Sequence, residues 1–144
     1  SQQTDHLFDV LYGNRHRYFG FMDYFRNFTQ STRQGGLLDL YAYVEWKITP
    51  AITLSQISHY FRLAVTNPST PESKNLGYEN DLVMKYRFTE WGILEAGYLF
   101  FLPTDGLKEI QGVENTRYAQ FCYIQLTLNP TLFQWDSQSP DKKL

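Results

Sequence analysis

The sequence lacks most of the features that identify common functional classes, and each absence narrows the choice. A single cysteine, Cys122, rules out a disulfide bond within the chain. No run of about eighteen apolar residues occurs, which argues against a transmembrane helix. The formal net charge is −2, whereas nucleic-acid-binding domains normally present a basic surface. The three histidines (His6, His16 and His59) do not have the spacing of metal ligands.

Charge is also scarce, and aromatic side chains are abundant. Charged residues make up 19% of the chain, against roughly 25% in ordinary globular proteins. Aromatic residues reach 17%, a content typical of long strands or of membrane interfaces. The length of 144 residues suits a single domain, which we predict over residues 1–144. The polar segment 134–144 is predicted to be a flexible tail.

Residues 76–102 form the clearest structural pattern, a predicted hairpin of two strands. Along the first arm, the even positions from Leu76 to Phe88 are mostly apolar, with Asn80 as the exception, and the odd positions are mostly charged. The second arm repeats this alternation less cleanly. We predict a three-residue turn at 90–92 with Gly92 at a positive φ, which places Arg87 opposite Glu95.

Four further strands are predicted from similar alternation, at residues 16–28, 37–49, 52–64 and 118–129. Between the second and third of the six, Pro50-Ala51 is predicted to be a two-residue loop. That loop would pair Asp39 with Arg62 and Glu45 with Gln56, and it would turn His59 toward the apolar side.

The connections alternate in length: 29–36 is long, 50–51 short, 65–75 long, 90–92 short and 103–117 long. The predicted fold is therefore an all-β, antiparallel up-and-down meander of about six long strands, with every long loop at one end. This asymmetry is typical of outer-membrane β-barrels. The alternative is a soluble antiparallel barrel or sandwich with one solvated face.

Several short segments resemble the alginate export family of bacterial outer-membrane barrels. They are FDVLYGNRH at 8–16, FGFMDYF at 19–25, GLLDL at 36–40, HYFRL at 59–63 and NLGYEND at 75–81. Each segment alone is weakly specific, and their order and spacing together carry the resemblance.

The resemblance covers most of residues 8–128 and corresponds to the C-terminal part of such a barrel. It implies a porin-like outer-membrane channel, in contact with lipid, for passive passage of polar or anionic solutes such as polysaccharide. Family barrels are much longer, and six strands cannot close a membrane barrel, for which about eight are needed. The chain is then a fragment, a short homologue completed by a second chain, or a related sheet that folds in water.

The charged residues of the strands are predicted to share the face that would line a pore. We take as pore-lining candidates Arg15, Arg17, Asp39, Glu45, Lys47, Arg62, Glu79, Asp81, Lys85, Arg87 and Glu95. The basic members are candidates for contacting an anionic sugar, because guanidinium binds carboxylate in a bidentate manner. The alternative is a solvated sheet face with ordinary cross-strand ion pairs.

Glu79, Asp81 and Glu95 could also supply a glycosidase acid–base pair. Nothing in the sequence marks one of these carboxyls as buried, so we predict no catalysis, and no cofactor or metal. The second functional class is a soluble β-barrel or sheet module, in the periplasm, that binds a small ligand or a partner chain. The even-numbered side chains of 38–48 and 82–88 distinguish the classes, since they meet lipid in the first and a dry core in the second.

Overall fold

The computed structural model describes residues 18–112 and 117–133, which form one antiparallel sheet with two short helices. The strands are β1 (Leu37–Lys47), β2 (Ile52–Leu63), β3 (Asn75–Thr89), β4 (Gly92–Pro103) and β5 (Ala119–Leu128). They lie side by side in chain order, and each neighbouring pair is antiparallel. This confirms the all-β antiparallel meander. The long connections consequently lie at one end of the sheet, the loop end, and the short turns lie at the other, the turn end.

The prediction of a strand at 16–28 is wrong over its described part, and the described residues form a sheet of five strands where about six were predicted. Residues 19–27 form bends and turns, and helix α1 (Phe28–Ser31) follows. Gly20 has a φ of 82° and Asp23 a φ of 60°, values that a strand cannot contain. Residues 18–36, which we call the strap, instead fold across one face of the sheet.

The turn between β1 and β2 is longer than predicted. It contains residues 48–51, and the Thr49 hydroxyl stabilises it by accepting hydrogen bonds from the backbone N–H groups of Ala51, at 3.2 Å, and Ile52, at 3.0 Å. The predicted two-residue loop at Pro50-Ala51 is therefore wrong.

The longer turn shifts the β1–β2 register by one residue. Asp39 lies opposite Phe61, where Arg62 was predicted, and Glu45 lies opposite Ser55. A shift of one residue exchanges the two faces of a strand. Arg62 therefore leaves the face of Asp39 and Glu45.

The β3–β4 turn is shorter than predicted and contains only Glu90 and Trp91. A bulge between Arg87 and Thr89 shifts the register, so that Arg87 lies opposite Ile93 and Thr89 lies opposite Gly92. Gly92 is not among the described residues with positive φ, so its predicted conformation is wrong. Its backbone instead lies against the Phe88 ring, and a Cβ atom there would overlap that ring.

The shorter turn changes the charged pairing but keeps the faces. Lys85 lies opposite Glu95, and Arg87 lies opposite Ile93, so the predicted pairing of Arg87 with Glu95 is wrong. The shift is two residues, an even number, and each side chain therefore stays on its predicted side. In every strand pair odd positions face odd ones and even positions face even ones, except beyond the register shifts after Phe61 and after Arg87. We call the two surfaces the odd face and the even face.

The core lies on the odd face at the loop end. Its buried members are Phe25, Phe61, Leu63, Leu76, Phe101, Leu107 and Ile110. The strap supplies Phe25, and helix α2 (Asp105–Gln111) supplies the last two. This helix occupies part of the segment predicted as a plain loop at 103–117. The strap and α2 thus cover one half of one face.

The even face is apolar and exposed. On β3, which has a strand on each side, Leu82 is 36% exposed, Met84 41%, Tyr86 40% and Phe88 40%. Exposed apolar side chains of the same face continue across the other strands: Leu38, Leu40, Val44, Trp46, Tyr98, Leu102, Ile124, Leu126 and Leu128. Within the described residues this face therefore does not enclose a dry core.

None of the described helices is long and apolar enough to cross a membrane. The predicted tail at 134–144 lies outside the described residues.

Candidate functional site

Most of the predicted pore-lining side chains lie on the odd face. Those found there are Asp39, Glu45, Lys47, Glu79, Asp81, Lys85, Arg87 and Glu95. Arg62 is the exception, because it lies opposite Leu38 on the even face. The prediction that Arg62 shares a face with Lys85 and Arg87 is therefore wrong. Arg15 and Arg17 lie outside the described residues.

At the turn end the odd face forms an open cleft of about 670 Å³ beside the 48–51 turn. Lys47, Lys85 and Arg87 line it, and we call it the cationic cleft. Lys85 Nζ lies 3.3 Å from Glu95 Oε2. Lys47 and Arg87 have no carboxylate partner within the described part of the chain. Among the described residues the cleft therefore carries more positive than negative charge, which favours a polyanion or a carboxylate.

Glu95 also receives a hydrogen bond from β5. The Tyr123 hydroxyl donates to Glu95 Oε1 at 2.6 Å. Burial raises the pKa of Tyr123, and the hydrogen bond and charge of Glu95 raise it further. The phenol therefore stays protonated and fixes the carboxylate that neutralises Lys85. Sequence analysis missed Tyr123, because tyrosines occur on both faces of the chain.

Toward the loop end, the odd face holds a buried histidine paired with an acid. His59 Nδ1 lies 2.9 Å from Asp39 Oδ2, and the imidazole stacks on Phe61 with a centroid separation of 5.4 Å. His59 is only 3% exposed, and its Nε2 has no hydrogen-bond partner among the described residues. His59 was predicted on the apolar side, which is wrong. The predicted β1–β2 register differs from the observed one by one residue, and His59 lies opposite Tyr41.

Beside His59 lies a buried pair of carboxyls. Glu79, opposite His59, and Asp81 are both fully buried on β3. The strap covers them with its backbone: Met22 N–H donates to Glu79 Oε1 at 2.9 Å, and Phe21 N–H donates to Asp81 Oδ2 at 3.2 Å. Gly20 lies so close that a Cβ atom there would overlap the Glu79 carboxyl group.

Burial raises the pKa of Glu79 to about 8, and the negative charge of Asp81 is the next contribution. The backbone hydrogen bonds from Met22 and Phe21 act in the opposite direction and only partly offset these effects. Glu79 is therefore protonated at neutral pH, and its proton can be shared with Asp81. Sequence analysis did not predict this burial, because the strap that causes it lies more than fifty residues earlier in the chain.

The two parts of the odd face differ in what they can do. The carboxyl pair is closed beneath the strap and cannot touch a solute in this conformation. The cationic cleft is open and can bind or guide an anion. Among the described residues no group of three or more His, Cys, Asp or Glu side chains could hold a metal ion.

Comparisons of the chain with protein-family models, with curated proteins and with solved structures find no match.

Proposed function

We propose that the chain is part of a porin-like outer-membrane β-barrel, whose even face meets lipid and whose odd face lines a passage for polar or anionic solutes. In this proposal the protein has no catalytic activity and resides in the bacterial outer membrane. The resemblance to the alginate export family leads to the same proposal and adds polysaccharide as a solute class.

The observation that carries the proposal is the exposure of apolar side chains on a central strand. Leu82, Met84, Tyr86 and Phe88 point away from the core, although β3 is flanked by β2 and β4. Burying a side chain of this size is worth roughly 1.5–3 kcal/mol, so a row of them in water is unfavourable. Alternating strands with apolar residues outward and polar residues inward are the pattern of membrane barrels.

The charge on the opposite face supports a wet passage. The cationic cleft leaves Lys47 and Arg87 without carboxylate partners in the described chain, beside the ion pair of Lys85 and Glu95. Rings of basic side chains attract anions into a pore.

A closed barrel needs strands beyond the five described. Within the described residues β1 and β5 each have one open edge. Three strands lie between them and each neighbouring pair is antiparallel, so β1 and β5 run in the same direction. An antiparallel closure therefore requires an odd number of further strands, and at least three to reach the minimum of about eight. These strands come from elsewhere in the polypeptide or from a second chain.

One observation favours the alternative, a sheet module whose even face is covered by a partner chain. Asn80 Nδ2 donates to Ser58 Oγ at 2.7 Å, and the Tyr78 hydroxyl donates to the same oxygen at 3.2 Å. Polar groups on a lipid-facing surface are unfavourable. This cluster satisfies its own hydrogen bonds, however, and lies toward the loop end, where a barrel would meet the polar headgroups.

The test is fractionation of bacteria that express the gene, followed by electrophoresis of unheated and boiled samples. We expect the protein in the outer-membrane fraction, with a mobility that changes on boiling because a closed barrel resists the detergent. Recovery in the soluble periplasmic fraction, with no heat-dependent mobility, would contradict the proposal and favour the partner-covered module.

A further inference from the structure

The strap is attached to the rest of the molecule in two different ways. Residues 29–36, the anchor segment, are joined to the neighbouring loops by neutral and basic groups: Arg33 donates to the carbonyl of Glu109 at 2.8 Å, and Val65 N–H donates to the carbonyl of Gly35 at 2.9 Å. Residues 18–26, the latch segment, are hydrogen-bonded through the backbone to the carboxyls of Glu79 and Asp81.

Apolar contacts hold the latch segment against the same place. Tyr24 stacks on Phe101 with ring centroids 4.2 Å apart, and Phe25, which is fully buried, lies 4.7 Å from the Phe61 ring. These contacts exclude water from the carboxyl pair. A carboxylate that loses its water must be neutralised or released.

We propose that the latch segment is a pH-sensitive cover, which lies on the odd face while Glu79 is protonated and leaves it when Glu79 is ionised. The geometry of Glu79 supports this: its carboxyl is fully buried beneath the latch segment, Oε1 accepts from Met22 N–H, and Oε2 has no hydrogen-bond partner among the described residues. The backbone N–H groups of the latch segment cannot replace the water that an ionised Glu79 would lose.

Other charged groups around Glu79 do not remove this dependence. From the sheet, His59 lies opposite Glu79, and its Nδ1 is already engaged by Asp39. Farther across the sheet, the Tyr123 hydroxyl is bound to Glu95. Burial and then the Glu79 charge raise the pKa of Tyr24, so this phenol stays neutral. The latch itself carries two further charged side chains, Asp23 and Arg26.

The sign of the pH effect follows from the proton balance. The covered state holds the pKa of Glu79 at about 8, whereas an uncovered carboxyl titrates near 4.5. The covered state therefore binds one more proton between these values, and raising the pH favours release. The opening constant should increase about tenfold for each pH unit from about 5 to 8, and should be constant above that.

If the odd face lines a channel, release of the latch segment widens it. This consequence rests on the proposed function, whereas the release itself does not. A soluble sheet with the same latch would show the same pH dependence, so the two proposals can fail separately.

The test is amide hydrogen exchange of the folded full chain from about pH 5 to 9.5, corrected for the intrinsic exchange rate. We expect the protection of Phe21 and Met22 to fall about tenfold for each pH unit and to level off near pH 8. The anchor segment, measured in the same experiment, should keep constant protection.

Glu79→Gln is the decisive variant, since its amide oxygen still accepts from Met22 N–H but cannot ionise. It should keep the latch segment protected over the whole range. Glu45→Gln removes an exposed carboxyl of the same face and should behave as the wild type. Constant protection of Phe21 and Met22 in the wild type would overturn the proposal, even if Glu79→Gln did not fold. A parallel loss of protection in Glu79→Gln and wild type would overturn it too.

Discussion

The odd and even faces of this sheet differ in charge and in burial, and the face that is covered is the charged one. The odd face carries nearly all the strand charges and also the packed core, whereas the even face is apolar and uncovered. A soluble sheet would bury its apolar face and solvate its charged one. The difference shows that the strap and α2 leave the apolar even face uncovered, because they pack on the polar odd face.

The two ends of the odd face also differ from each other. Its loop end is dry and holds Glu79 and Asp81, while its turn end is open and holds the cationic cleft. The strap produces this division. The same face therefore contains a buried titratable pair, Glu79 and Asp81, and a solvated binding surface that begins at Lys85 on the same strand.

The largest effect is expected from removing the aromatic anchor of the strap. Phe25→Ala should destabilise the folded chain by about 3–5 kcal/mol, because Phe25 is fully buried between Phe61 and Phe101. Phe121→Ala, on the same face but 52% exposed, should cost less than about 0.5 kcal/mol. Unfolding by denaturant measures both. Equal costs would show that the odd face has no localised core.

A charge on the even face should have the next largest effect. In a lipid-facing strand, Val44→Arg places a charge near the bilayer midplane at a cost of about 2–4 kcal/mol. Its neighbour on the odd face, Tyr43, is the matched control, and Tyr43→Arg should cost less than about 1 kcal/mol beside Glu45. Folding into lipid vesicles measures both variants.

Val44→Leu sharpens the same comparison, since lipid accommodates an extra methylene and the variant should be nearly neutral. In a packed interface overpacking would cost roughly 1–3 kcal/mol. A large penalty for Val44→Leu would therefore indicate a partner chain on the even face. A negligible cost for Val44→Arg would indicate water there.

A smaller, functional effect is expected in the cationic cleft. Replacing Lys47, Lys85 and Arg87 together with Ser should lower the anion-to-cation permeability ratio severalfold in planar bilayers, because their charge attracts anions. Arg62→Ser is the control, since Arg62 lies on the even face and should leave selectivity unchanged. An unchanged ratio in the triple variant, or a reduced one in Arg62→Ser, would contradict the assignment of faces.

Alternation of side chains correctly predicted five of the six strands and their order in the sheet, but it could not set their registers. Glu45 and Lys85 were predicted to lie on the same face of the sheet, and the structure places both on the odd face. The β1–β2 register depended on Thr49, whose hydroxyl extends the turn by local hydrogen bonds. That one-residue difference moved Arg62 and His59 to the faces opposite to those predicted.

The strap could not be predicted for a different reason. Residues 19–25 are aromatic on both sides, as a strand buried on two faces would be, and only the positive φ angles at Gly20 and Asp23 exclude that structure. The burial of Glu79 depends on a contact with Met22, far away in the chain. Periodicity within one segment contains no information about such a contact.

The most direct test of the central claim, that the even face meets lipid, is spin-label accessibility in reconstituted vesicles. Nitroxides would be attached singly at positions 82, 84 and 86 and at positions 85 and 87, in a Cys122→Ser background because Cys122 is exposed. Labels replacing Leu82, Met84 and Tyr86 should be accessible to oxygen, which dissolves in lipid, and protected from a water-soluble nickel complex. Labels replacing Lys85 and Arg87 should show the opposite. Access of the nickel complex to the three even positions, or protection from both reagents there, would contradict the claim.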